Sequence, residues 1–162
     1  MGDTTYALGH SSAETQCLKN QAAMLRPITE RLLRSAGIAA GMRVLDVGCG
    51  AGDVSMLAAE LVGPAGSVVA IDRNQEILNV AKERVRQAGL LKISFLRASV
   101  EDFSADEPFD LVIGRYILVH QREPVAVLSN AARLARPGEH WPSMRLAWTT
   151  IPNPFRAFRY GI

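Results

Sequence analysis

The segment Val44-Leu45-Asp46-Val47-Gly48-Cys49-Gly50-Ala51-Gly52 narrows the folds open to this chain more than any other stretch. A short β-rich run, Met42 to Val47, enters three glycines at alternate positions. Asp53 then precedes the helix-forming stretch Val54-Ser55-Met56-Leu57-Ala58-Ala59-Glu60, which Gly63-Pro64 ends. Glycine adopts backbone angles that a Cβ forbids, so the chain can pass tightly from a strand into a helix N-terminus whose free N–H groups face outward. Such a turn lets a ligand approach the backbone. Asp72 ends the next β-rich run about 20 residues after Gly52, where a carboxylate can accept both hydroxyls of a ribose.

The rest of the chain repeats this alternation. Ser12 to Ala36 is helical by its three- and four-residue apolar spacing, interrupted at Pro27. Ser67 to Ile71 and Lys92 to Arg97 are further strands, with a helix from Asn74 to Ala88 between them. After a polar loop from Ser99 to Pro108, the run Phe109 to Ile113 predicts a fourth strand and Val125 to Arg136 a further helix. Strands separated by helices imply βαβ crossovers and a mainly parallel sheet.

Spacing distinguishes the ligands such a turn accepts. The dinucleotide fingerprint needs a third glycine where this chain has Asp53, which favours a cofactor without a pyrophosphate. Asp46 is a poor neighbour for two phosphates and a tolerable one for a sulfonium and an amino group. A nicotinamide-dependent oxidoreductase also lacks its Tyr-x-x-x-Lys pair here, since Tyr116 is followed four residues later by His120.

Composition removes other classes. With 162 residues, 48% hydrophobic and 21% charged, the chain suits one globular domain, and its 18 basic and 16 acidic residues are scattered. No basic run tracks a phosphate backbone, so nucleic acid is not an expected partner. Cys17 and Cys49 have neither zinc spacing nor a disulfide framework, and no metal site is expected. No apolar stretch is long enough to span a bilayer; the expected location is the cytoplasm.

Taken with their order, these motifs make the chain resemble class I S-adenosylmethionine-dependent methyltransferases, and within them the small-molecule group of ubiquinone and menaquinone enzymes. The likeness covers about residues 5 to 138. It implies a Rossmann-like three-layer α/β/α sandwich, truncated after about the fifth strand, with S-adenosylmethionine as cofactor and a small-molecule acceptor. By this resemblance Gly48 and Gly50, with Asp46 and Cys49 beside them, lie against the methionine part of the cofactor. Asp72 takes the ribose and Arg73 neighbours the adenine. Ala98-Ser99-Val100-Glu101-Asp102-Phe103 resembles the loop that reads the adenine edge; many relatives have Asp where Ser99 stands, leaving more of the recognition to the Val100 N–H. Phe109 to Arg115 resembles the strand facing the transferred methyl, and Arg115 is a candidate for the cofactor's carboxylate. Tyr6-Ala7-Leu8-Gly9-His10-Ser11 resembles a segment that folds over the cofactor, with Cys17 standing where the following helix often carries Arg.

The expected division is a helical segment at 1–40 covering the cofactor site, a cofactor-binding core at 41–138 and an atypical or truncated tail at 139–162. No catalytic group is assigned; His120 is the candidate base, with a packed or surface imidazole as the alternative. Asp110 suits a strand-start acceptor or a place near the reacting methyl, and Cys49 a small filler. The fifth strand is expected directly after Pro137-Gly138, where Pro142 would break its ladder; a local frame change over 139–147 or a diverged tail would each account for this. A sheet ending there leaves an open edge, which makes a homodimer an expectation. An inactive S-adenosylmethionine-binding module is the alternative to an enzyme.

Overall fold

The computed structural model describes residues 25–118, 121–137 and 146–149, the last four by their backbone pairing alone. Residues 25–35 are helical and form the described part of helix α1, Pro27 included. Then follow β1 (Arg43–Val47), α2 (Asp53–Val62), β2 (Ser67–Asp72), α3 (Gln75–Gln87), β3 (Ile93–Arg97), β4 (Leu111–Arg115), α4 (Pro124–Leu134) and β5 (Leu146–Thr149). The five strands form one sheet in the order β3-β2-β1-β4-β5, every pair parallel.

Period-two alternation divides the buried residues between the two faces of the sheet. On one face Val44, Val68, Leu111 and Ile113 pack against Leu33 of α1 and Leu57, Ala58 and Val62 of α2; farther along, Ala70 and Phe95 pack against Leu78, Ala81 and Val85 of α3. On the other, Leu45, Val47, Ile71 and Val112 pack against Val127 and Ala131 of α4. Helices on both faces make a Rossmann-like three-layer α/β/α sandwich. The capping chemistry is local: the Asn74 side chain accepts the N–H groups of Glu76 (2.8 Å) and Ile77 (3.3 Å), so Asn74 stands just outside α3 rather than within it.

One boundary differs from the sequence pattern. Phe109 and Asp110 precede β4: the Phe109 N–H donates to Leu134 O at the end of α4, and Phe109 bridges to Ala135, while the Asp110 N–H donates to Arg43 O. The fourth strand therefore starts at Leu111. In the described part of the fifth strand, Leu146, Ala147, Trp148 and Thr149 pair with Val112, Ile113, Gly114 and Arg115 of β4. Pro142 lies outside the described residues. Residues 138–145, on which the frame-change reading rests, lie outside the described residues. Among the described residues no helix is long and apolar enough to cross a membrane.

Candidate functional site

The C-terminal ends of β1, β2 and β4 converge on the glycine turn. As the chain leaves β1, the Gly48 and Cys49 N–H groups both donate to Ile71 O, at 2.8 and 3.0 Å, and the Gly52 N–H closes the turn on Cys49 O at 3.0 Å. Gly48 and Gly50 have φ of +68° and +53°. They need glycine for different reasons. A Cβ on Gly48 would stand 2.5 Å from Ile117 Cδ1, whereas one on Gly50 would meet nothing within 4 Å. Ile117 reaches Gly48 just after Tyr116, which among the described residues is the non-glycine position with positive φ (+62°).

Asp72, at the end of β2, ties the turn to α3. Its Oδ2 accepts the Gly50 N–H and its Oδ1 the Asn74 N–H, both at 2.9 Å. A carboxylate oxygen has more than one acceptor direction, so both oxygens retain capacity for hydroxyl donors. Beyond Asp72, at the ends of β2 and β3, Arg73, Arg97, Ala98, Ser99, Glu101 and Asp102 line an open depression of ≈ 750 Å³. Arg73 pairs with Glu101 at 3.0 Å, and Arg97 Nε donates to Arg73 O at 3.2 Å. The Ser99 hydroxyl donates to the Asp102 carboxylate at 2.7 Å. The Val100 side chain is buried in the core under α4.

Beneath the turn the side chains are buried. Asp46 is 1% exposed, sits on the α2 face of β1 and accepts the Ser55 hydroxyl at 2.5 Å. Burial raises its carboxyl to about 7, against the Ser55 hydrogen bond and the Arg115 charge, which lower it. Cys49 is buried too, and its thiol is pushed well above the ordinary range by burial and by Asp46 and Asp72. It is poorly disposed to act as a thiolate nucleophile. Arg115 turns toward α1 and α2: Nη1 donates to Thr29 Oγ1 at 3.2 Å, and Nη2 lies 3.9 Å from Asp53 Oδ2.

The elevated Asp46 carboxyl makes stability depend on pH. It keeps its proton in the folded protein up to about pH 7 and releases it near 3.8 when unfolded. The folded state binds more protons between those values, so this contribution is fully present below about pH 4 and is lost as pH rises through about 7. Asp46→Asn keeps an acceptor for Ser55 and removes the titration. The stability of wild type relative to this variant should fall steadily between pH 4 and 7 in urea melts; a difference constant across that range would mean that Asp46 does not titrate there.

The structure thus brings together Asp46, Gly48, Cys49, Gly50 and Asp72 at the turn, and Arg73, Ser99 and Glu101 at the depression. Tyr6, Cys17 and His120 lie outside the described residues. Sequence reasoning missed Thr29, Arg84 and Arg97, and gave no separate side-chain role to Asp53 or Asp102. Only Asp102 carried a local signal, since an acid three residues after a serine is a capping pattern.

Comparison with known proteins adds a family match. A family model described as a methyltransferase domain matches residues 38–143. The ubiquinone biosynthesis O-methyltransferase of Aromatoleum aromaticum is 34% identical over 132 residues, covering 80% of this chain and 52% of that protein. The 2-phytyl-1,4-naphtoquinone methyltransferase of Synechococcus elongatus is 39% identical over 100 residues, covering 60% of this chain and 43% of that protein. The chain spans about half the length of such curated relatives. Among solved structures, a SAM-dependent methyltransferase from Aquifex aeolicus matches with a TM-score of 0.63 at 30% identity, covering 75% of this chain and 67% of that one.

Proposed function

The chain belongs to the S-adenosylmethionine-dependent methyltransferases, and from that premise we propose that it holds S-adenosylmethionine over the Gly48–Gly52 turn and transfers the methyl group to a small-molecule acceptor of the quinone type. The open space at Gly50 beside the Asp72 carboxylate carries this reading, because it leaves room for a ligand where two acceptor oxygens wait. The acceptor class is taken from the names of its relatives, among them the two proteins above and a demethylmenaquinone methyltransferase of Lactococcus lactis.

In this arrangement Gly48 and Gly50 lie against the methionine part, Asp72 takes the ribose hydroxyls, and Arg73, Ser99, Glu101 and the Val100 N–H border the adenine. Asp46 supports the turn from beneath through its hydrogen bond with the Ser55 hydroxyl, and Arg115 acts from the outer edge of the turn. When bound, S-adenosylmethionine supplies a methyl already activated on a sulfonium. The protein's share is alignment and exclusion of water, which can remove several kcal/mol of barrier without a strong base.

Calorimetric titration with S-adenosylmethionine and NADH, repeated on Gly50→Ala, tests the assignment. Wild type should bind S-adenosylmethionine and not NADH. In the variant the positive φ should cost roughly 1 kcal/mol of stability, while a Cβ in the ligand's space should lower affinity tenfold or more, on the order of 1.4 kcal/mol or above. A stability loss with normal affinity would remove the cofactor from Gly50, and tight NADH binding alone would overturn the whole reading.

A further inference from the structure

We propose that Arg84 is a positioning residue for the aminocarboxyl end of the cofactor, acting through Asp53 and the Ala51 carbonyl; this rests on the reading that S-adenosylmethionine lies over the turn. Arg84 comes from α3, in the βαβ unit after the turn, and reaches back across the sheet face. Its Nη1 donates to Ala51 O at 2.7 Å and its Nη2 to Asp53 Oδ1 at 2.6 Å. Both side chains are 24% exposed, so the pair is far less screened than the surface pair Arg86–Glu83 at 75% and 49%.

Each contact does a separate task. Asp53 is the first residue of α2, where a carboxylate suits the helix dipole. The same charge lies beside the turn on which the proposed ligand sets a carboxylate of its own, and two like charges near a partly buried site repel. Arg84 on Oδ1 cancels that charge, and Arg115, 3.9 Å from Oδ2 and shared with Thr29, contributes less. The second contact fixes the Ala51–Gly52 peptide. Its carbonyl is held by Arg84 and its N–H, on the opposite edge, by Cys49 O. A planar unit held on both edges has little freedom to rotate, so the turn is formed before the ligand arrives.

Two ligands separate this task from simple scaffolding: S-adenosylhomocysteine, which has the aminocarboxyl end, and 5′-methylthioadenosine, which lacks it. Arg84→Gln should weaken the first about tenfold and the second less than about twofold by calorimetry. Arg84→Gln with Asp53→Asn should return S-adenosylhomocysteine to within about threefold of wild type, because the unneutralised charge is gone. Arg84→Lys keeps the charge and should preserve the wild-type ratio of the two affinities, which leaves a measurement should the Gln variant fail to fold. Equal losses for both ligands, no recovery in the double variant, or a ratio altered in Arg84→Lys would each overturn the proposal. Wild-type protein that binds neither ligand would overturn the cofactor reading, and this one with it.

Discussion

Asp72→Ala is expected to lower affinity for S-adenosylmethionine by about tenfold to several hundredfold, and to weaken the free protein as well. Two hydroxyl donors to a charged acceptor are at stake, each worth roughly 1.5–3 kcal/mol, partly offset by water entering the gap. The stability loss follows from contacts that exist without ligand: the Gly50 and Asn74 N–H groups both end on this carboxylate. Losing them should cost about 1–2 kcal/mol, moderated because the site is partly open to water. Titrations should therefore be run well below the variant's melting temperature, with the folded fraction measured first. Unchanged affinity in folded Asp72→Ala would mean that the ribose is held elsewhere.

Phe109→Ala is expected to give a larger loss of stability, about 3–5 kcal/mol, with nearly normal affinity in the molecules that remain folded. Phe109 is fully buried at the base of β4, packed among the Val127, Ala131 and Ala135 cluster, with the Arg43 guanidinium carbon 4.0 Å from the ring centroid. Its backbone N–H and C=O bond Leu134 and Arg136, so the side chain fills the space between β1 and the end of α4. The ring lies before Leu111, at the end of β4 opposite the glycine turn, which is why affinity should survive. A urea-melt loss below about 1.5 kcal/mol would show that neighbouring side chains collapse into the gap.

These two residues illustrate what the sequence made legible. Asp72 could be placed beside the glycine turn from spacing alone, since the strand, the glycines, the helix and the acid are joined by short connections whose geometry is set locally. Phe109 was read as part of a strand because it opens an apolar run, yet its backbone is claimed by Leu134 and Arg136, more than 20 positions away. The pairing of β5 has the same origin: β propensity marks a segment as extended without naming the ladder partner, and Val112 pairing with Leu146 is a fact of tertiary packing. Arg84 was invisible for a related reason. An arginine near the end of an amphipathic helix reads as solvated, and only the fold shows that it reaches Ala51 and Asp53 across the sheet face.

The strand order sets a timetable for assembly. Made from its N-terminus, the chain can pair β1, β2 and β3 as soon as Arg97 has emerged, through two short crossovers. The other flank of β1 has no partner until Leu111–Arg115 has been synthesised, because the chain must first turn back past two strands. Contacts that close longer loops form later, as their entropic cost is higher. A three-stranded half formed first would leave the β1 edge at Val44 and Leu45 without its second ladder partner until β4 arrives.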